Sequence, residues 1–411
     1  MQIGSVVISA LLFADDLVVI ACTRAGLLKL MQLVKDHADI LKLELNTDQN
    51  KSEVIAQEGV VGDSWDLINP DGEVVLSLKQ VMQYKYLGNL VFPSVSKSAK
   101  EKLKLCVSKA RQYKGACISL SHEGPDVVDM ILATWCNIAI PSILYGCEMI
   151  PFSESAIMDI ERIQCQIAKY ALCLPLTAAN VSAQIDLGIK PFRQTLYEFQ
   201  LNYYNRVLGC SNERWVKQAL IDHMSLSWNS PYLEHLYNVR TELGLISLPS
   251  GSKLAKHIKD YFVAKTNESL SKLSLPWIRQ IKYFKKARHV KEGTSSEYIT
   301  LFRYNAVSLG HRYPRPGKLH KEKLCPLCHN GEKNTVSHLA LFCHVLEGVR
   351  RAKTGITSFR NMCSAKNFPN DEIFELFING YDWNKIQLPL NLYLERGEEL
   401  LILYKEFIRL S

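Results

Sequence analysis

Leu11-Leu12-Phe13-Ala14-Asp15-Asp16-Leu17-Val18-Val19-Ile20-Ala21 places two adjacent acids between two strongly apolar runs. Runs so rich in Val, Ile, Leu and Phe read as buried strands. Burying one carboxylate there is expensive, and burying two neighbours is worse. The stretch is therefore expected to be a hairpin with Asp15 and Asp16 at an exposed tip, holding a cation. Mg²⁺ fits such a tip, because it takes hard oxygen ligands and keeps water or phosphate in its shell. Two such ions can bind both the attacking and the leaving oxygen of a phosphoryl displacement. An ordinary acidic turn would have the same composition, so the surrounding chain has to decide.

Working outward, Leu27, Leu28, Leu30, Met31, Val34, Ala38 and Leu41 recur at helical spacing over residues 25–44. A polar turn then leads to a short strand at Val54 and Ile55. Residues 63–92 read as further strands around the turn Asn69-Pro70-Asp71-Gly72. They end in Tyr84-Lys85-Tyr86-Leu87-Gly88, an aromatic strand end with a turn glycine. From residue 95 the pattern is helical, with the stripe Leu103, Cys106, Ala110, Tyr113 and Cys117. Lys97, Lys100, Lys102, Lys104, Lys109, Arg111 and Lys114 surround that stripe, opposed only by Glu101. A second helix is expected from about Asp126 to Ile140, stopping before Pro141. A third should start at Ser153 as N-cap and end before Pro175. Residues 180–300 read as a helical connector, and a last helix runs from about Leu394 to Leu410. The fold class is α+β, divided as 1–94, 95–178, 179–300, 301–350 and 351–411.

The second chemical signal is Cys325-Pro326-Leu327-Cys328 followed by His338 and Cys343, a C-x2-C-x9-H-x4-C pattern. Zn²⁺ takes four thiolate or imidazole ligands in a tetrahedron, and the C-x2-C turn supplies two of them. His338 and Cys343 would sit on and at the end of a short helix and complete a closed, structural site. His344 is a possible substitute ligand and His329 a weaker one.

The chain has 411 residues, is 47% hydrophobic and carries a net charge of +8. Twelve cysteines are too few for a disulfide scaffold at this length. Cys106, Cys117, Cys136 and Cys165 read as small buried apolar residues in a reducing compartment. Asp15 and Asp16 interrupt the apolar N-terminus, which lacks a basic leader, so neither a signal peptide nor a membrane span is expected. A nuclear or cytoplasmic protein follows, not a secreted one. Residues 276–323 hold twelve Lys and Arg against three Glu, so the rest of the chain sums to about −1 and +9 sits in this stretch. Within it, Arg303, Arg312 and Arg315, with Tyr304 and Tyr313 interleaved, suggest a polyanion partner.

LLFADDLVVIA resembles the polymerase motif of reverse transcriptases, in the F-A-D-D form of non-LTR (LINE-type) retrotransposons. The following L-N-x-x-K-S pattern is matched by Leu45, Asn46, Lys51 and Ser52, with two extra residues before Lys51. The resemblance implies catalytic roles for Asp15, Asp16 and Lys51, with Asp15 and Asp16 binding Mg²⁺. Tyr84, Lys85, Tyr86 and Gly88 resemble the primer grip. The basic helix resembles the thumb, whose Lys97, Lys100, Lys104 and Arg111 would then contact phosphates. ILYGCEMIPFSESAIMDIERIQCQIAKYALCLP and LCPLCHNGEKNTVSHLALFCHVLEGVR resemble the post-thumb and C-terminal zinc regions, Ile150 standing where relatives often place Trp. An RNA template, a DNA primer or target DNA, and dNTPs are the implied partners. The family's third metal-binding aspartate and its fingers precede this motif, and Met1 lies only fourteen residues before Asp15. The resemblance thus implies no polymerase activity for this chain alone. A nucleic-acid-binding protein without catalysis, or a remnant without a cellular role, are the alternatives.

Overall fold

The structure is a computed structural model. It describes residues 2–410 except 4–5, 49–50, 57–63, 121–126, 226–229, 250, 273–294, 305–323, 326, 329–330 and 333–334. It is a mixed α+β protein, mainly helical with few, short strands. Two compact units are formed. One comprises Met1–Ser108, Leu144–Ala156 and Leu196–Lys256; the other comprises Lys109–Ile143, Ile157–Thr195 and His257–Ser411. No helix among the described residues is long and apolar enough to cross a membrane.

The first unit opens with β1 (Gln2–Ile3) and β2 (Val6–Val7), then β3 (Ala10–Phe13) and β4 (Asp16–Val19). β3 and β4 pair antiparallel with Phe13 opposite Asp16, so Ala14 and Asp15 alone form the turn. Ala14 takes a positive φ of 53°, the backbone twist that two-residue hairpin turns need. The apolar flanks are not buried as their composition suggests: Leu12 is 71% exposed and Phe13 63%. The reason is topological. β3 and β4 make a sheet of only two strands, so few side chains lie against their faces.

α1 (Arg24–Ile40) follows, its N-cap Thr23 accepting from the Gly26 amide at 3.0 Å. It packs on a three-stranded sheet of β5 (Glu53–Val54), β7 (Val74–Gln80) and β6 (Ser64–Ile68), in that order. Met31, Val54, Trp65, Leu67 and Leu76 form the core between them. Trp65 is held from both sides, donating to Gln80 Oε1 at 2.9 Å with the Arg24 guanidinium 4.3 Å above its ring. β8 (Tyr84–Tyr86) and β9 (Asn89–Val91) form another tight hairpin, with Leu87 and Gly88 both at positive φ.

α2 (Val95–Leu120) is the basic helix. Cys106, Ala110 and Cys117 of its apolar stripe are buried, as expected, whereas Leu103 and Tyr113 are half-buried. α3 (Val127–Ala133) runs into a π-helical segment, Thr134–Ala139, and then α4 (Ile140–Leu144). The helix thus does not stop before Pro141. In the π segment the Ile140 N–H pairs with Trp135 O, five residues back, which shifts the ladder where proline lacks a donor. Cys136 within it is exposed, not buried. Trp135 donates to Gln164 Oε1 at 3.0 Å, and Gln164 Nε2 donates to Lys190 O at 2.8 Å.

α5 (Glu154–Ala171) starts after Ser153, whose Oγ accepts from the Ala156 amide. The connector is helical: α6 (Asn180–Leu187), α7 (Phe192–Leu208), α8 (Trp215–Ser225), α9 (Pro231–Glu242), α10 (Ser252–Ser271) and α11 (Ser295–Arg303). α12 (Glu347–Lys353), α13 (Ile356–Ala365), α14 (Asn370–Ile378) and α15 (Leu390–Leu410) complete the chain. α15 packs closely along α11. Phe359 and Phe377 pack with ring centroids 5.5 Å apart, and the Arg396 guanidinium of α15 lies over the pair, 4.7 Å from each ring, donating to Phe377 O at 2.6 Å.

One ion pair in the second unit is wholly buried. Arg303 donates to both carboxylate oxygens of Asp186, at 2.7 and 2.8 Å, and Tyr304 OH donates to the same carboxylate at 2.7 Å. Removing one partner strands a charge in the interior. Asp186→Ala is expected to cost about 3–5 kcal/mol in urea unfolding, with most of it recovered by Asp186→Leu combined with Arg303→Met. A loss below 1 kcal/mol would contradict the burial.

Candidate metal centre and nucleic-acid interface

Cys325, Cys328, His338 and Cys343 converge, as their spacing predicts. All four are buried, and their ligand atoms lie within 4.8 Å of one another. Cys325 Sγ and Cys343 Sγ are 4.0 Å apart, twice the length of a disulfide. Cys328 Sγ lies 3.5 Å from His338 Nε2. A tetrahedral ion with arms of about 2.0–2.3 Å has edges of about 3.3–3.8 Å, so the four donors can hold one metal ion.

Local structure explains the convergence. The Cys325 amide donates to Glu332 O at 2.8 Å, closing the loop that carries the first pair. His338–Phe342 is a π-helical segment, and the Cys343 amide donates to His338 O at 2.7 Å. Residues five apart on an α-helix point about 140° away from each other, whereas the i→i+5 bond brings Cys343 back beneath His338. Burial lowers the pKa of His338 and keeps its ring neutral, the ligating form. Burial and the neighbouring Cys325 push the Cys343 thiol up to about 11, so ligation there displaces a proton. His344 is exposed and outside the cluster. His329 lies outside the described residues.

An outer layer grips the same segment, and no motif announces it. Arg350 donates to the carbonyls of Leu339 and Cys343, and Arg360 donates to Leu341 O at 2.7 Å. Glu347 binds both arginines, with Arg360 bidentate at 2.9 and 3.1 Å. Burial opposes ionisation of Glu347, but Arg360 and Arg350 outweigh it and hold the carboxyl at about 2. Residue order does not mark Arg350 as interior, and only the packing shows it buried beside its carboxylate.

At the other candidate site, Asp15 and Asp16 are exposed at the hairpin tip. Tyr84 OH donates to Lys51 O at 2.5 Å. Burial raises the Tyr84 pKa, with further contributions from Asp16 and Glu53. Asp16, Lys51 and Tyr84, drawn from three separated motifs, thus share one neighbourhood. Lys85 and Gly88 are exposed, and Tyr86 is half-buried. No group of three or more acids, histidines or cysteines around Asp15 and Asp16 could hold a metal among the described residues.

The β8–β9 hairpin is latched to Tyr145-Gly146-Cys147. Tyr145 OH donates to Leu87 O at 2.9 Å, and Lys102 Nζ donates at 2.6 Å to both Asn89 Oδ1 and Tyr145 O. Gly146 has a φ of +69°, and any side chain on it would overlap Asn89. Lys102 is therefore an interior strut, and it is buried. Lys109 and Lys114 are likewise engaged, with Ser142 O and Gln166 Oε1. Lys97, Lys100, Lys104 and Arg111 are exposed, and their spacing puts all four on one face of α2. Arg303, expected to contact nucleic acid, is 1% exposed and serves Asp186 instead. Arg312 and Arg315 lie outside the described residues. Comparison with protein-family models, curated proteins and solved structures finds no match.

The depressed Glu347 pKa sets a pH window. A carboxyl held below its ordinary 4.5 contributes stability that is full above that value and is lost as pH falls towards about 2. Thermal melting of the chain is expected to fall between pH 4.5 and 2.5, and Glu347→Gln to flatten that fall. An unchanged slope in the variant would remove Glu347 from this role.

Proposed function

We propose that the chain is the C-terminal part of a non-LTR (LINE-type) retrotransposon reverse transcriptase, from the end of the palm through the thumb to the zinc-binding region, acting as a nucleic-acid-binding protein with a structural zinc ion. The chief support is the neighbourhood of Asp16, Lys51 and Tyr84. Each belongs to a different stretch resembling a family motif, and Tyr84 joins the other two through a hydrogen bond and a charge effect. The exposed face of α2 supports phosphate binding, where Lys and Arg give affinity without sequence choice.

Zinc is the ion that three thiolates and an imidazole in a tetrahedron suit best. With four protein ligands the site is closed, and its contribution is to folding. The purified chain is expected to contain about one equivalent of zinc by elemental analysis. Cys328→Ser should lose it along with a cooperative melt. A folded, zinc-free wild type would remove the assignment.

Two exposed carboxylates hold Mg²⁺ loosely, and two-metal transfer needs ligands that bridge both ions. The chain alone is therefore expected to bind an RNA–DNA primer–template, with dNTPs and Mg²⁺ giving no primer extension. Affinity should fall with salt, and Lys97→Glu with Lys100→Glu and Lys104→Glu should lower it about tenfold. Extension by the purified chain would overturn the non-catalytic part. Salt-independent affinity would overturn the phosphate-binding part.

A further inference from the structure

Two buried thiols of the first unit touch. Cys106, on α2, and Cys147, just after α4, lie with their Sγ atoms 3.6 Å apart. They sit within the latch of the β8–β9 hairpin. Lys102, about one helical turn before Cys106, donates to Asn89 in the hairpin and to Tyr145 O in the turn. The Cys147 thiol donates to the same Tyr145 O at 3.8 Å. The Cys147 backbone is pinned on both sides. Its amide donates to Leu144 O at 2.9 Å, and its carbonyl accepts from Gln200 Nε2 at 3.1 Å. One sulfur thus rides on a long helix and the other on a fixed turn.

We infer that Cys106 and Cys147 close into a reversible disulfide when the chain meets a peroxide, and that this bond locks the hairpin latch. A disulfide holds its sulfurs about 2.05 Å apart, so the two must approach by about 1.5 Å, within reach of side-chain rotation. Cys325 and Cys343 are 4.0 Å apart, but Cys328 and His338 make them part of a metal-binding set. Cys106 and Cys147 belong to no such set among the described residues, which leaves the S–S bond as their chemistry. In a reducing compartment both rest as thiols. Peroxide oxidises one thiolate to a sulfenic acid and leaves as hydroxide, which takes up that thiol's proton. The second thiol attacks the sulfenic sulfur, gives up its own proton, and water departs. In sum two S–H bonds and the O–O bond break, one S–S bond forms, and two waters are released. Contact with Cys106 and burial push the Cys147 thiol up, and the reacting form is the thiolate. Closure is therefore slow and proceeds through transient opening of the turn. Reduced, the latch depends on the hydrogen bonds of Lys102 and the close fit at Gly146. Oxidised, helix and turn are joined covalently across a separation of 41 residues.

Peroxide treatment of the folded full chain, followed by alkylation of the remaining thiols and non-reducing peptide mapping, tests the bond. The expected product is a Cys106–Cys147 cross-linked peptide lacking two hydrogens, restored to two alkylated peptides by dithiothreitol. Amide hydrogen exchange over Tyr84–Val91 tests the lock. Lys102→Met should speed that exchange about tenfold in the reduced chain, as expected for lost charge-assisted hydrogen bonds. Peroxide should restore most of the protection in Lys102→Met, and none when Cys147→Ala is added. The wild type supplies the same comparison without a substitution: in mild urea its oxidised form should exchange more slowly over Tyr84–Val91 than its reduced form. Recovery of Cys106 and Cys147 as separate alkylated or sulfinic residues, after peroxide has oxidised other thiols of the chain, would reduce the contact to packing and overturn the disulfide. A cross-link that leaves exchange unchanged in wild type and variant would overturn the lock.

Discussion

Three thiols and an imidazole, all buried and packed within 4.8 Å of one another, form a donor set that could hold a single metal ion. That convergence organises the C-terminal part of the second unit. The π-helical turn at His338–Phe342 is a poor way to satisfy a backbone and a good way to aim two ligands inward. Its freed carbonyls are taken up by Arg350 and Arg360, and Glu347 pairs with both arginines. Cation, backbone and carboxylate thus form nested shells around the site, and the outer shells fix the geometry of the inner one.

Much of this was legible in the residue order. The C-x2-C-x9-H-x4-C spacing predicted its own convergence, because a tight turn and a short helix have few ways to present four side chains. The tip position of Asp15 followed from the cost of burying it. α1 was legible from its period and α5 from its period and its Ser153 cap, whereas the Thr23 cap of α1 emerges only in the structure. Helix ends were less so: Pro141 stops an α-ladder, but a π-shift absorbs it.

What the sequence hid were partnerships over long separations. Arg303 sits in a basic run and reads as a surface cation, yet its partner Asp186 lies 117 residues away. Lys102 belongs by period to a solvated basic helix, yet it braces a hairpin and a turn. Composition records that a charge exists, and only packing decides whether it faces water. The apolar flanks of the Asp-Asp turn erred the other way. Their hydrophobicity promised burial, but burial needs a neighbouring layer, which a two-stranded sheet lacks.

That bare ribbon gives Asp15 and Asp16 a second meaning. From Ala10 to Ala21 they are the only charged residues, beside Leu12 and Phe13 that face solvent. A two-stranded ribbon leaves unpaired backbone along its outer edges, where another chain can add on, and charge is a common deterrent to such stacking. The two acids are therefore also keepers of solubility. Neutralising them removes a candidate metal site and a barrier to self-association in one step, so the two effects of such a variant come together.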